Sequence, residues 1–116
     1  MIIKEKTVEY ILKSEKAKEN PSVFVLKAMS AGEANDIDDE TTMFDRKGQT
    51  RLLVGSAKKK KIERCLVDWK NVKNEKGEVI PCNLENKLKM PSMVQDELID
   101  EINRISYINA DEEKNL

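Results

Sequence analysis

The side chains of this 116-residue chain that could do chemistry are carboxylates, lysines and two cysteines, because the chain has no histidine. Its densest acidic run holds Asp36, Asp38, Asp39 and Glu40. Such carboxylates could act as a general acid and base, or supply oxygen ligands to calcium. The EF-hand pattern fails, because no glycine lies mid-loop and no glutamate closes a twelve-residue frame. We therefore interpret the run as the solvated face of a helix near its N-terminus, without a metal site.

The two cysteines, Cys65 and Cys82, do not indicate a reactive or metal-binding site. Without histidine they leave a four-ligand zinc site incomplete unless carboxylates join them. A disulfide is not expected in a reducing compartment. Cys65 is interpreted as a small buried residue on a helix, and Cys82 as a residue of a loop or strand end. We expect no cofactor and no catalytic residue.

Lys58 to Lys61 form the only dense basic run. On a helix, consecutive residues are about 100° apart, so four lysines in a row cannot all face one groove of a nucleic acid. No aromatic residue is interleaved to stack on bases, and the net charge of the chain is -1. The run is therefore interpreted as a solvated helix face, and a nucleic-acid-binding regulator is the alternative.

The composition fits one small domain, predicted over residues 1–110, followed by a polar tail at 111–116. Hydrophobic residues make up 39% of the chain and charged residues 37%. No apolar run approaches the roughly 18 residues of a membrane span. The charged start, MIIKEKTVEYILKSEK, lacks the apolar region of a signal peptide, so we expect a cytoplasmic protein without a membrane partner. So short a chain has little room for a catalytic pocket, and an enzyme is not expected.

The hydrophobic spacing changes from alternating to helical near Ser30, which predicts an α+β fold. Residues 6–12 and 22–28 are predicted to pair as an antiparallel hairpin, with Phe24 and Leu26 on one face. Ser30 and Glu33 form a capping-box pair, at which a helix should begin. We predict a β-hairpin packed on three helices, near 31–44, 53–72 and 92–107, with a helical turn near 84–88.

The predicted core combines the hairpin with the two longer helices. Its members are apolar residues at strand or helix spacing: Phe24 or Val25, Leu53, Ile62, Leu66, Trp69, Leu98 and Ile102. Asp45 to Thr50 is expected to be a loop. Gly77 is expected to adopt a positive φ angle in a turn, and Asn83 is expected to cap the short helix.

The passage from Trp69 to Ile105 resembles small proteins encoded in tail gene clusters of phages and prophages. It has a tryptophan after a helix, a polar turn with Gly77, and a short helix between Pro81 and Pro91 that leads into an amphipathic helix. A polar tail, DEEKN, follows at 111–115, and the segment VFVLKAMSAGE leads into a helix as in those proteins. These matching positions determine the fold and carry no catalytic role.

The resemblance implies a tail-assembly protein of the chaperone kind, in the cytoplasm of the bacterial host. Such proteins are thought to keep the tape-measure protein soluble while tail-tube subunits gather on it, so the implied partners are these phage tail proteins. Another phage structural or connector protein, or an inhibitor of a host factor, is the alternative, and a homo-oligomer is possible. From the residues themselves, Met43, Phe44, Met90 and Met93 are the candidates for partner binding, because they flank predicted helix ends and methionine suits adaptable apolar contacts.

Overall fold

A computed structural model describes residues 7–44, 50–52 and 54–114, with side chains described at 7–37 and 57–106. This part of the chain forms five strands and four α-helices. In order they are β1 (Thr7–Ile11), β2 (Val23–Lys27), α1 (Ala31–Thr41), β3 (Thr42–Phe44), β4 (Thr50–Leu52), α2 (Val54–Cys65), β5 (Leu66–Lys70), α3 (Leu84–Leu88) and α4 (Ser92–Lys114), with a 3-10 helix at Lys13–Glu15. The predicted α+β class is confirmed.

The N-terminal hairpin forms as predicted. Strands β1 and β2 pair antiparallel, from Thr7 opposite Lys27 to Ile11 opposite Val23. Phe24 and Leu26 are buried, while the residues that alternate with them in β2 are only partly buried. One face of the hairpin is therefore packed against the core and the other is partly open to solvent.

The prediction of a helix over 53–72 is wrong in its second half. Helix α2 ends at Cys65, and β5 then pairs antiparallel with β2 to complete a sheet of order β1-β2-β5. Leu26 lies opposite Leu66 and Val25 opposite Asp68, so Val67 is an extra residue in a β-bulge. The bulge places Leu66 and Trp69 both in the core. Three residues apart, they imitate the spacing of a helix although they lie in a strand.

Helix α1 begins at its predicted cap but ends earlier than predicted. The N–H of Glu33 donates to Oγ of Ser30 (3.1 Å), and the N–H of Ser30 donates to Oε1 of Glu33 (3.3 Å). The helix ends at Thr41, and β3 pairs with β4 in a separate two-stranded sheet. Pairing with β4 supplies the backbone partners that further helical turns would have supplied. In the loop predicted at 45–50, residues 45–49 lie outside the described residues and Thr50 begins β4.

The core lies between one face of the three-stranded sheet and helices α2 and α4. Its buried members come from β2, α2, β5 and α4 and from the residue directly after β1: Leu12, Phe24, Leu26, Ile62, Cys65, Leu66, Trp69, Leu98, Ile99, Ile102 and Ile105. The predicted core is confirmed with Phe24 rather than Val25, while Leu53 lies outside the described residues. Cys65 is buried at the end of α2 and Cys82 lies in a loop, as predicted.

The turn after β5 confirms the predicted role of Gly77 and adds a second residue with a positive φ angle. Gly77 has φ +78° and its N–H donates to the carbonyl oxygen of Asn74 (3.0 Å). Asn71 has φ +59°, a conformation that asparagine tolerates better than most residues. The indole Nε1 of Trp69 donates to the carbonyl oxygen of Ile80 (2.9 Å), which fastens the far side of the turn to the core.

Helix α4 starts at the predicted position and continues beyond its predicted end. It begins at Ser92, directly after Pro91, and runs past residue 107 to Lys114. The segment from Ala110 to Lys114 is rich in alanine, glutamate and lysine, which are strong helix formers. Residues 111–114, predicted to be part of a polar tail, are therefore helical.

Candidate protein-binding surface

The segment between Pro81 and Met93 carries the most prominent apolar exposure among the described residues. Five large hydrophobic residues are exposed in the described part of the chain. Three of them belong to this segment: Leu84 (40% exposed), Leu88 (44%) and Met93 (85%). Leu84 and Leu88 are four residues apart and so lie on the same side of α3. Met93 lies in the first turn of α4. We call these three residues the α3–α4 surface.

Local hydrogen bonds hold α3 in place despite its short length. Oδ1 of Asn83 accepts a hydrogen bond from the N–H of Asn86 (2.9 Å), which confirms Asn83 as the N-cap. Nδ2 of Asn86 donates in turn to the carbonyl oxygen of Pro81 (2.9 Å). Because no residue of α3 is buried, these polar contacts rather than apolar packing hold the helix in place.

Lys87 connects α3 to α2. Nζ of Lys87 donates to the carbonyl oxygen of Glu63 (3.3 Å), in the last turn of α2, where a positive charge is favoured. Met90 and Ile80 pack against the core on either side of α3 while remaining partly exposed. These contacts hold α3, and with it Leu84 and Leu88, in a fixed position next to the core.

Ion pairs lie near the α3–α4 surface. Nζ of Lys89 is 3.3 Å from Oε1 of Glu85, and Nζ of Lys58 is 2.8 Å from Oδ1 of Asp96. All four side chains are more than 40% exposed, so each pair contributes little to folding stability. An apolar surface with charged neighbours of both signs suits binding of a partner that is apolar at its centre and polar at its rim.

The four residues predicted to bind a partner do not share one environment. Met93 is exposed, whereas Met90 is partly buried against the core. Met43 and Phe44, predicted at a helix end, instead lie in β3, opposite Arg51 and Thr50 of β4. The side chains of Met43 and Phe44 lie outside the described part of the chain.

Sequence reasoning missed Leu84 and Leu88 as members of the surface, although it identified their helix. The available signal was the length of α3 between two prolines. That helix has only five residues, none of them buried, and its i, i+4 leucine pair lies on one side of it.

The resolved pKa shifts of the cysteines and of Glu33 follow from burial, hydrogen bonds and neighbouring charges. Burial raises the pKa of the Cys65 thiol to about 11 and also raises the pKa of Cys82, so both thiols are protonated at neutral pH. Burial would raise the pKa of Glu33, but hydrogen bonds from Lys27 and Ser30 and the charge of Lys27 outweigh it and lower the pKa. Glu33 is therefore ionised at neutral pH.

No grouping of three or more cysteine, aspartate or glutamate side chains suited to a metal ion occurs among the described residues. Nor does any helix in the described ranges have the length and apolarity to cross a membrane.

Lys58 and Lys61, of the four consecutive lysines, contact α4. Besides the pair formed by Lys58 and Asp96, Nζ of Lys61 donates to Oδ1 of Asn103 (3.4 Å). Positions 58 and 61 lie on the same side of a helix. Lys58 and Lys61 therefore face α4, which disfavours use of the whole run as one nucleic-acid-binding stripe.

Comparison of the chain with protein-family models, with curated proteins and with solved structures finds no significant match.

Proposed function

We propose that this chain is a non-enzymatic phage tail-assembly protein that acts like a chaperone. In this proposal it binds an apolar, helical segment of the tape-measure protein, or of another tail protein, in the cytoplasm of the bacterial host. The tail-assembly role comes from the resemblance of residues 69–105 to proteins of phage tail gene clusters. The binding role comes from the surface chemistry of the described residues.

The observation that carries the binding role is the exposure of Leu84, Leu88 and Met93 within one short, positioned segment. Exposed apolar side chains that cluster in a small protein mark a contact site more often than single ones do. The two leucines present the i, i+4 spacing that packs against the apolar side of a partner helix. Met93 adds an unbranched thioether side chain, which adapts to partners of different shape.

Co-expression with the tape-measure protein encoded in the same genome tests this proposal. We expect the tape-measure protein to be more soluble with this chain than without it, and the two to elute together in gel filtration. Replacing Leu84, Leu88 and Met93 by serine should abolish both effects. Val79→Ser is the matched control, because Val79 is 66% exposed but lies outside the α3–α4 surface.

Three outcomes would count against the proposal. The first is a tape-measure protein whose solubility does not depend on this chain, with no complex in gel filtration. The second is a complex that the triple serine variant forms as well as the native chain. The third is self-association of the chain through the α3–α4 surface, which would make a second copy its occupant.

A further inference from the structure

Five sulfur-containing side chains lie in the ranges where side chains are described, and they differ in how open they are to solvent. Met29 and Met90 are partly buried against the core. Cys65 is fully buried at the end of α2, and Cys82 is partly buried. Met93 is 85% exposed, in the first turn of α4. Within this part of the chain, its thioether is therefore the sulfur atom most open to a reagent in solution.

The two cysteines react poorly with oxidants in the folded chain. A thiol reacts with a peroxide mainly as its thiolate, so burial and a raised pKa both slow the reaction. Burial raises the pKa of Cys65 to about 11, and burial also raises the pKa of Cys82, against the charge of Lys87. At neutral pH an oxidant therefore meets two protonated thiols that are at least partly buried, and the open thioether of Met93.

The thioether of Met93 is also part of the apolar α3–α4 surface. We propose that Met93 is an oxidation site that controls this surface, with a peroxide as the oxidant. One oxygen atom of hydrogen peroxide bonds to the sulfur as the O–O bond breaks, and the other oxygen leaves as water with both hydrogens. The sulfur is oxidised by two electrons and the peroxide is reduced by two. The product, methionine sulfoxide, is polar.

The sulfoxide affects partner binding rather than folding. Since Met93 is exposed, its sulfoxide stays in water and the core is unchanged. Once a partner covers the α3–α4 surface, the sulfoxide oxygen must leave water and lie against apolar groups, which is unfavourable without a hydrogen-bond donor. Oxidation therefore weakens binding, a consequence that rests on the binding role proposed above for this surface. A methionine sulfoxide reductase reverses it, because it oxidises a pair of thiols to a disulfide and releases the oxygen as water.

The oxidation rates of single methionines test the site without any partner. The full chain is treated with hydrogen peroxide, and sulfoxide formation at Met90 and Met93 is followed by tandem mass spectrometry of the tryptic peptide 90–104, which holds both. We expect Met93 to be oxidised several times faster than Met90 in the folded chain. In denaturing urea the two rates should converge, because the difference comes from burial. Equal rates in the folded chain, a difference that persists in urea, or faster oxidation of either cysteine would overturn the site.

The dissociation constant for the tape-measure protein, measured after removal of the peroxide, tests the control of binding. The oxidised native chain should bind at least about tenfold more weakly than the untreated chain. Treatment with the reductase should restore the constant. Met93→Leu has no sulfur at this position, so its own constant, whatever the value, should be the same before and after peroxide treatment.

The outcomes separate this inference from the proposed function. Equal affinities of the untreated and oxidised native chains would overturn control by oxidation while the proposed function stands. Weaker binding of Met93→Leu after peroxide treatment would overturn it too, because the effect would then come from another residue. If the untreated native chain binds no tape-measure protein, both the proposed function and the control of binding fail, and the rates alone decide whether Met93 is the oxidation site.

Discussion

The hydroxyl of Tyr10 donates a 2.7 Å hydrogen bond to Oε2 of Glu97, which joins β1 to α4 across most of the length of the chain. The backbone N–H of Lys13 donates to the same carboxylate oxygen (3.0 Å). Burial, followed by the hydrogen bond to Glu97, raises the pKa of Tyr10 from its ordinary 10.0 to about 12. The hydrogen bond from Tyr10 lowers the pKa of Glu97 against an opposing effect of burial, with help from the Lys13 N–H.

This pair predicts a loss of stability at alkaline pH. Because folding raises the pKa of Tyr10, its contribution is full below pH 10 and is lost as the pH rises through about 12. Tyr10→Phe should cost about 1 kcal/mol at neutral pH, through loss of the hydrogen bond. It should also flatten the fall in stability between pH 10 and about 12. The measurement is urea unfolding of both proteins across this pH range. The free energy of unfolding must fall more steeply for the native chain than for Tyr10→Phe.

The same pair and the α1 cap predict behaviour at acid pH. The folded-state pKa values of Glu97 and Glu33 are both lowered. Their contributions are therefore present above the unfolded pKa of a glutamate and are lost as the pH falls through the folded values. Glu33→Gln should reduce the acid sensitivity of unfolding followed by circular dichroism, whereas Glu75→Gln, in an exposed turn, should not. Equal acid sensitivity in all three proteins would contradict this prediction.

Leu98 tests the position of the core. Its side chain is fully buried in α4, so Leu98→Ala should cost roughly 2–5 kcal/mol of the free energy of unfolding. Met93→Ala, on the same helix but 85% exposed, should change it by less than about 0.5 kcal/mol. Denaturant melts of the two variants measure both changes in the free energy of unfolding. A loss below half a kcal/mol for Leu98→Ala would show that this side of α4 is not core.

The lysine run should not confer nucleic-acid binding. Since Lys58 and Lys61 contact α4, we expect no binding of duplex or single-stranded DNA at micromolar concentrations in physiological salt, measured by fluorescence anisotropy. Micromolar binding whose salt dependence becomes shallower when Lys58 to Lys61 are changed to glutamine would overturn this expectation.

Much of the fold follows from local sequence signals. The hairpin follows from the alternation in β2, the start of α1 from the pair Ser30 and Glu33, and the buried side of α4 from the spacing of Leu98 and Ile102. In each case the residues that give the signal also form the contact. Local and tertiary preferences therefore agree, and the prediction is confirmed.

The errors occur where tertiary pairing overrides a local pattern. Leu66 and Trp69 have helical spacing, but the bulge at Val67 turns both toward the core from a strand. Thr42 to Phe44 continue the pattern of α1 but pair with β4 instead. The candidate surface was predictable only in part, because exposure of Met93 and burial of Met90 depend on how the chain packs between α3 and α4. Neither strand partners nor packing can be derived from spacing alone.

The most direct test of the proposed function is the dissociation constant of this chain for the tape-measure protein of the same genome, measured by isothermal titration calorimetry on native and variant chains. We predict that Leu88→Ser and Met93→Ser each weaken binding by at least about tenfold, a loss of about 1.4 kcal/mol. Val79→Ser should leave the constant unchanged. No measurable binding of the native chain, or equal affinities for all four proteins, would contradict a chaperone-like role of the α3–α4 surface.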